Sequence, residues 1–326
     1  MSSPRVSVII PTFNRAAMLR DAIDSVLNQT FEDYEIIVVD DGSTDNTRET
    51  ISKFNSPKIT YIYQENRGRS IARNIALSRA RGEFIAFLDS DDIFLPYKLE
   101  KQINAMEIQK DYGMVYSAAI VAGDKGNELY DINSRGDKGL LHEATVSGWI
   151  YEKVAFYTPV TIILPSVMFR AALLSKIGGF DENLDRFEDT DMWRRIAKRH
   201  RILAISEPLC IIRCHAGNKM EHPDKVYRSV TDYISKIFRE DRDISTGFKR
   251  RGASALHFHY GYAVFLNGEY SKYFAIKFFI RSFKYLPVYC VAQCIKKIAM
   301  PALYRSTPDF IKKAVRYCKS VFKKKK

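Results

Sequence analysis

Residues 83–93 read EFIAFLDSDDI. An apolar run ends there in three carboxylates within four positions, Asp89, Asp91 and Asp92. A run without polar alternation predicts a strand buried on both faces, as in a parallel sheet covered by helices. Like charges a few ångströms apart disfavour each other's ionised forms, so charge crowded at the end of such a strand indicates a site for a cation.

The same pattern occurs earlier in the chain, where apolar runs at 6–10 and 35–39 precede the polar segments PTFNR and DDGSTD. Further strands are predicted at 58–63 and 113–122, and helical spacing of apolar residues predicts helices over 16–28, 44–54, 70–80 and 96–110. Strands alternating with helices predict a doubly wound α/β domain with a mostly parallel central sheet. Ligands of such domains bind outside the carboxyl ends of the strands, so the polar segments mark the expected site.

The 326 residues are enough for one large domain and an appendage. We predict three parts: an α/β domain over 1–220, a helical C-terminal region over 221–285 with many aromatic residues, and a basic tail over 286–326.

Positive charge is concentrated toward the end of this sequence. The formal net charge is +13, and from Arg281 onward there are 13 Lys and Arg residues against one acid, Asp309. Thr307-Pro308-Asp309 is a typical helix start, and the apolar residues after it recur at helical spacing among lysines. A basic amphipathic helix suits an anionic membrane surface; packing on the body of the protein is the alternative. Because no RNA- or DNA-reading module accompanies the tail, we expect no nucleic-acid partner.

The start of the chain and its cysteines indicate the cytoplasm. No apolar stretch approaches the roughly 20 residues of a spanning helix, and the apolar run after MSSPR is short for a secretory signal. The five cysteines lack the paired spacing of a zinc ribbon or a disulfide framework. We therefore expect a cytoplasmic protein that is peripheral on the inner face of the cell membrane.

The segment VVDDGSTD, residues 38–45, has two interpretations. A turn followed by a capped helix start accounts for Gly42 to Asp45. It does not account for the adjacent carboxylates of Asp40 and Asp41, which could accept hydrogen bonds from a base or a ribose.

Two other polar segments also have a structural and a functional interpretation. In PTFNR, Pro11 could end the strand and Asn14 could cap the next helix. In NRGRSIARN, Arg67, Arg69 and Arg73 are either solvated or placed to meet a phosphate or a base edge. No phosphate-binding glycine motif follows any predicted strand, so a nucleotide here would be held by side chains and a metal.

The Asp-x-Asp of the opening stretch fits such a metal. Mg²⁺ and Mn²⁺ take oxygen ligands and commonly lie between one or two carboxylates and substrate phosphates. A polar turn that caps the next helix would need one aspartate rather than three. The residue types therefore predict a divalent cation bound by Asp89 and Asp91.

Six motifs in order resemble the family 2 glycosyltransferases of the GT-A fold, a Rossmann-like fold of nucleotide-diphospho-sugar transferases. The resemblance covers roughly residues 4–215, and the motifs are PTFNR, VVDDGSTD, Arg73-Asn74, GEFIAFLDSDD, GGFDE (178–182) and FEDTDMWRR (187–195).

The resemblance assigns roles to individual residues. It implies a nucleoside site formed by Pro11, Thr12, Asn14 and Asp40 or Asp41, with Arg73 beside the base or phosphate. Asp89-Ser90-Asp91 matches the motif that holds the donor and its metal, His215 is a further candidate near the metal, and Asp189 matches the catalytic base. A lone aspartate is a weak base, but the nearby Glu188 and Asp191 would raise its pKa.

The implied activity is transfer of one sugar, with inversion, from a nucleotide-diphosphate sugar to a hydroxyl of a glycan or lipid-linked acceptor. UDP is the expected nucleotide, and Mn²⁺ or Mg²⁺ the expected metal. The sequence lacks the Q-x-x-R-W signature of processive members. There are two alternative functions: a non-catalytic sugar-nucleotide or partner-binding protein, and an aspartate-dependent phosphotransferase. The second would require a D-x-D-x-[TV] motif at the first strand, which here ends in PTFNR.

Overall fold

The computed structural model describes residues 3–122, 129–131, 146–156, 162–213, 221–267, 270 and 272–294. The chain forms two compact units, Met1–Lys236 and Ile237–Lys326. The division predicted at residues 220 and 285 stays a prediction.

The first unit contains the sheet and most of the helices. Its strands are β1 (Val6–Thr12), β2 (Tyr34–Asp41), β3 (Ile59–Gln64), β4 (Phe84–Phe87), β5 (Ile93–Phe94), β6 (Tyr112–Ala122), β7 (Leu129–Asp131), β8 (Val167–Arg170) and β9 (Arg201–Arg213). Its helices are α1 (Ala16–Leu27), α2 (Thr47–Ser52), α3 (Arg69–Arg79), α4 (Lys98–Ile108), α5 (Tyr151–Val154), α6 (Leu174–Ile177) and α7 (Glu188–Ala197), and α8 (Pro223–Glu240) begins in it. Short 3₁₀ turns lie at Leu164–Ser166 and Ala171–Leu173.

The strands pair in the order β3-β2-β1-β4-β8-β6-β9-β5, with β7 on β6. The contacts from β3 through β4 and between β6 and β9 are parallel, whereas the contacts of β8, β5 and β7 are antiparallel. The predicted α/β class is confirmed, and its parallel part is the segment that carries the polar motifs.

The strand register brings those motifs together. Val8 pairs with Ile36 of β2 and Ala86 of β4, and all three side chains are fully buried. Leu19, Ile23 and Val26 of α1 are buried in the same core. Because β1, β2 and β4 run in parallel, PTFNR, DDGSTD and DSDD leave the sheet at one edge.

Local differences from the sequence predictions have local causes. Pro11 lies inside β1, where it pairs with Val39 of β2, while β4 follows β1 only as far as Ile9. The N–H that Pro11 lacks therefore breaks no ladder bond. The strands β5, β7, β8 and β9 were not predicted; β5, with two residues, is too short for a periodic pattern.

The second helix begins at Thr47 rather than at Thr44. Asp45 takes part in a different interaction: its Oδ1 accepts from the backbone N–H of Thr47 at 3.1 Å and its Oδ2 from that of Ala16 at 3.0 Å. One carboxylate thus accepts from backbone N–H groups at the starts of two helices.

The described residues of the second unit are mostly helical, as predicted for residues 221–285; the predicted basic helix after Thr307 lies outside the described residues. It contains the end of α8, α9 (Thr246–Asn267), α10 (Lys272–Tyr285) and α11 (Pro287–Cys294). The hydroxyls of Ser254 and Ser282 lie 3.0 Å apart between α9 and α10, and a Cβ at Gly261 would come within 2.7 Å of Phe278 Cβ. Across the described ranges, no helix is long and apolar enough to cross a membrane.

Candidate active site

A cavity of about 530 Å³ opens beyond the carboxyl ends of β1, β2 and β4. Its wall consists of Pro11, Thr12, Phe13, Arg15, Asp41, Asn66, Gly68, Arg69, Ala72, Arg73, Asp89, Ser90 and Asp91. Seven of the predicted site residues are in this wall: Pro11, Thr12, Asp41, Arg73, Asp89, Ser90 and Asp91. Asn14, Asp40 and Asp189 lie outside it, and His215 lies outside the described residues.

The loop after β4 holds its charges close to guanidinium groups. The backbone N–H of Asp92 donates to the carbonyl of Asp89 at 2.9 Å, which closes the turn. Arg73 Nη2 lies 2.9 Å from Asp89 Oδ1, and Arg15 Nη1 lies 2.8 Å from Asp91 Oδ2. Each carboxylate of the Asp-x-Asp pair therefore faces a cation at the wall of the cavity.

Asp92 sits behind this pair and is buried. The backbone N–H of Arg213, the last residue of β9, donates to Asp92 Oδ1 at 3.0 Å. Burial and the negative charges of Asp89 and Asp91 nevertheless raise the pKa of Asp92 to about 8. The third carboxyl of the loop therefore favours its neutral form, which lowers the repulsion among the three aspartates.

A divalent cation fits Asp89 and Asp91 by the chemistry of their oxygens. Within the part of the chain that the structure describes, no group of three or more His, Cys, Asp or Glu side chains forms a metal cluster. Two carboxylates beside an open cavity match a cation that completes its shell with waters and substrate phosphates. The donor set therefore suits a cation shared with a ligand.

The carboxylates after β2 organise the backbone around the cavity. Asp40 Oδ1 accepts from the N–H of Ser43 and Oδ2 from the hydroxyl of Tyr61, both at 2.8 Å. Asp41 accepts from the N–H groups of Arg67 and Gly68, both at 2.8 Å. Asp40 thus closes its own turn, whereas Asp41 fixes the segment that leads into α3.

Asn14 joins the loops after β1 and β2. Its Oδ1 accepts from the N–H of Thr44 at 2.7 Å, and its own N–H donates to Ser43 Oγ at 2.8 Å. Its backbone adopts a left-handed conformation (φ 51°), which asparagine tolerates better than most residues. The alternative of a cap on α1 is wrong, because the residue at that position is Arg15 and α1 has no side-chain cap.

Phe13 and Arg15 are wall residues to which sequence reasoning gave no role. Phe13 is 45% exposed, and both residues stand inside the PTFNR motif. The sequence feature that could have indicated Phe13 is a large aromatic residue within a polar segment.

Arg73 connects the cavity to α7. Its Nη1 donates to Glu188 Oε1 at 2.9 Å, while its Nη2 contacts Asp89. Arg69 Nε lies 3.0 Å from the same oxygen of Glu188. The planar fork of a buried arginine can hold two carboxylates at a fixed spacing, so Arg73 sets the distance between the acidic loop and the start of α7.

Asp189 follows Glu188 in the first turn of α7. Its Oδ1 accepts from the N–H of Thr190 at 2.6 Å. Burial and the charge of Glu188 raise the pKa of Asp189 to about 6, although Arg73 and Arg69 act in the opposite direction. Asp189 is therefore ionised at neutral pH and more basic than an ordinary aspartate.

Side-chain contacts hold the first turn of α7. Phe187 has a left-handed backbone (φ 66°), and its ring stacks on Tyr233 with centroids 5.1 Å apart. The fully buried Asp191 contacts Arg194 Nη2 at 2.7 Å and Arg195 Nε at 2.8 Å. A non-glycine residue in the left-handed region persists where its surroundings fix it, as these contacts do.

The GGFDE segment is held by the residue next to Arg73. Asn74 donates to the carbonyl of Phe180 at 3.0 Å and accepts from its N–H at 2.8 Å. A Cβ on Gly179 would lie 2.4 Å from Asn74 Oδ1, so this contact needs glycine. The pair Arg73-Asn74 thus connects α3 to three of the other motifs.

Comparison with known proteins assigns the chain to a family. The sequence profile described as "Glycosyl transferase family 2" matches residues 7–173. This chain belongs to glycosyl transferase family 2. An uncharacterized glycosyltransferase of Rickettsia prowazekii is 32% identical to this family member over 247 residues, covering 73% of the chain and 74% of the relative. The chain is therefore a glycosyltransferase.

Other relatives are matched over less of their length. The chain is 34% identical to an uncharacterized glycosyltransferase of Rickettsia bellii over 72% of itself but only 32% of that protein. It is 45% identical over 106 residues to a putative teichuronic acid biosynthesis glycosyltransferase, TuaG, of Bacillus subtilis, covering 32% of the chain and 42% of TuaG.

Solved structures share the fold. S. aureus TarS 1–349 in complex with UDP-GlcNAc superposes with a TM-score of 0.62 at 20% identity, over 88% of this glycosyltransferase and 83% of that chain. The mannosyltransferase PcManGT of Pyrobaculum calidifontis, in complex with GDP-Man and Mn²⁺, superposes with a TM-score of 0.57 at 20% identity, over 92% of this chain and 81% of that chain. The predicted GT-A fold is confirmed.

Replacing Arg73 tests the link between the acidic loop and α7. Arg73→Met leaves Glu188 and Asp89 without a shared partner, and we expect the free energy of unfolding to fall by about 3–5 kcal/mol in a urea titration. The control is Arg20→Met on the exposed side of α1. The ion pair of Arg20 with Asp24 spans 3.9 Å, and its loss should lower the free energy of unfolding by less than about 1 kcal/mol. Equal losses for the two variants would contradict the bridging role.

Proposed function

We propose that this glycosyltransferase transfers one sugar from a nucleotide-diphosphate sugar, with UDP as the expected nucleotide, to a hydroxyl of a glycan or lipid-linked acceptor, with inversion. The observation that carries the proposal is the arrangement around Arg73. One guanidinium contacts Asp89 at the cavity and Glu188 beside Asp189. A donor site and a base are thereby held at a fixed separation.

The cavity supports the donor half of the proposal. Its volume of about 530 Å³ lies within the roughly 300–1,000 Å³ of small-molecule sites. Pro11, Thr12, Phe13 and Asp41 form the wall at β1 and β2, where we place the nucleoside. Asn14 and Asp40 would support that wall through the loop contacts described above. TarS with UDP-GlcNAc and PcManGT with GDP-Man support a nucleotide sugar as the ligand.

Asp89 and Asp91 would hold Mn²⁺ or Mg²⁺, and the Mn²⁺ in the PcManGT complex supports this assignment. When bound, such a cation stabilises negative charge on the leaving diphosphate as a Lewis acid. Arg15 and Arg73 already contact these two carboxylates from the cavity wall. They would bind the diphosphate oxygens and help to orient the donor.

Asp189 would act as the base that accepts the proton of the acceptor hydroxyl. A base is most effective when its pKa lies near the working pH, and the pKa of Asp189 is raised to about 6. Glu188 tunes this pKa and, through Arg73 and Arg69, holds the helix start in place. A single base and direct attack by the acceptor hydroxyl give inversion at the sugar carbon.

A relative and the charge of the tail support the acceptor class and the location. The putative role of TuaG in teichuronic acid biosynthesis supports a glycan acceptor. The basic sequence of residues 286–326 supports contact between the tail and an anionic membrane on the cytoplasmic side. We infer no nucleic-acid partner.

A thermal-shift panel of nucleotide sugars tests the donor and the metal together. We expect a UDP-sugar to raise the Tm in the presence of Mn²⁺, and Asp89→Asn or Asp91→Asn to abolish the Mn²⁺-dependent part because each removes a carboxylate ligand. The exposed Asp33 provides the control Asp33→Asn, which should respond as the wild type does. If no nucleotide sugar gives a metal-dependent shift, the donor assignment is wrong.

The pH dependence of transfer tests the base. Because a base works in its ionised form, kcat/KM should fall as the pH drops through about 6. Glu188→Gln removes a negative charge that raises this pKa, so the fall should move to lower pH. The exposed Glu152 gives the control Glu152→Gln, which should leave the profile in place. Asp189→Asn should lower kcat by at least roughly a hundredfold with donor binding retained, and unchanged transfer would remove Asp189 from the mechanism.

Neutralising the end of the tail tests its role at the membrane. Changing Lys323 to Lys326 into glutamine in the full chain should weaken sedimentation with anionic vesicles at low salt, since each basic residue contributes on the order of 1 kcal/mol near such a surface. Identical sedimentation of the two proteins at low salt would contradict the role of these lysines.

A further inference from the structure

We propose that the outward face of α10 is a docking surface that lies on the interface of an anionic lipid bilayer. This surface would act apart from the transfer reaction, and its helix precedes the tail. It comes from the exposure and charge of the second unit alone.

Four large side chains form the surface, which we call the outer stripe. Tyr273, Ile276, Ile280 and Phe283 follow one another at helical spacing, and their exposed fractions are 64%, 49%, 53% and 48%. Positions i, i+3, i+7 and i+10 share one side of a helix. The outer stripe is therefore continuous along the whole length of α10.

The opposite side of α10 is already packed. Ala275, Phe278 and Ser282 are buried at the same spacing, and Ser282 hydrogen-bonds Ser254 of α9. The surface helix of a soluble protein normally turns a polar side to the solvent. In α10 both sides are apolar, and the contact with α9 accounts for only one of them.

The next helix, α11, also exposes apolar side chains. Val288 and Val291, one turn apart, are 69% and 47% exposed. Single exposed apolar residues are ordinary, but a contiguous exposed patch indicates a binding surface. The four residues of the outer stripe follow one another on one side of α10 and form such a patch.

Charge identifies the occupant as an anionic surface. Residues 272–294 contain four basic residues, Lys272, Lys277, Arg281 and Lys284, and no acid. A two-fold contact with a second copy through this patch would bring the same bases face to face. An apolar stripe bordered by bases instead matches an interfacial helix on anionic lipid.

The conformation of Lys277 agrees with this position. Its Nζ lies 5.8 Å from the ring centroid of Tyr273 and 5.6 Å from that of Phe274. The aliphatic stem of a lysine can cover apolar surface while its ammonium group reaches the headgroup layer. With 14 residues, α10 is shorter than the roughly 20 residues of a spanning helix, so we expect it to lie in the interface.

Vesicle sedimentation of the full-length protein tests the outer stripe. The vesicles contain phosphatidylglycerol and phosphatidylcholine, or phosphatidylcholine alone, at low and high salt. The double variant Ile276→Gln, Ile280→Gln should bind the anionic vesicles at least roughly tenfold less than wild type, at both salt concentrations, because apolar contact is lost. Ile108→Gln is the matched control, since Ile108 on α4 is 78% exposed; it should bind as the wild type does.

The salt dependence separates this proposal from the role of the tail. Loss of tail lysines acts through screened charge and should disappear at high salt, whereas loss of the outer stripe should persist. Unchanged binding of the double variant would overturn the proposal, as would increased binding, which would indicate that residues 295–326 cover the stripe. A dimer in lipid-free solution that the double variant converts to monomer would assign the stripe to a second copy and also overturn it.

A measurement on the wild type makes the test independent of variant folding. Anionic vesicles should slow the amide hydrogen exchange of residues 272–285 and leave α4 unchanged. Unchanged exchange in α10 under conditions where the protein sediments with the vesicles would contradict the proposal. Donor-induced thermal stabilisation should be the same in the double variant and the wild type, since the substitutions are outside the cavity wall.

Discussion

The site depends on one buried guanidinium. Arg73 is almost fully buried and contacts Asp89 after β4 and Glu188 at the start of α7. A buried charge is tolerated only where partners compensate it, and a buried pair that loses one partner is strongly destabilised. The acidic loop and the helix that carries Asp189 must therefore stay together, because the buried charge of Arg73 is compensated by Asp89 from one and by Glu188 from the other.

The same balance explains how three aspartates can end a buried strand. Arg73 and Arg15 contact Asp89 and Asp91, and the last residue of β9, Arg213, binds Asp92. Burial, together with Asp89 and Asp91, raises the pKa of Asp92 to about 8, so this carboxyl favours its neutral form and adds little charge to the loop. Asp89 and Asp91 stand in the wall of an open cavity, where carboxylate oxygens suit a divalent cation shared with a ligand. Carboxylates that would be destabilising in the core can thus serve as ligands at the cavity wall.

Hydrophobic periodicity was sufficient to predict the sheet edge on which the site lies, because apolar runs in parallel strands must be buried on both faces. It could not predict the connections between loops. Asn14 reads as a helix cap by sequence but joins Ser43 and Thr44. Asp40 and Asp41 look alike in sequence, yet one closes its own turn and the other holds the segment before α3. Such contacts depend on which loops meet in space, and a sequence pattern does not record that.

The sequence by itself determined the fold class, the edge of the sheet that carries the site, and the order of motifs typical of family 2 glycosyltransferases. These follow from local patterns of apolar and charged residues. Only the tertiary structure decided that Arg73 bridges residues 89 and 188, that Phe13 and Arg15 stand in the cavity wall, and that α10 keeps an exposed apolar side. The physical reason is that burial and charge compensation depend on neighbours distant in the chain, which are fixed only when the elements pack.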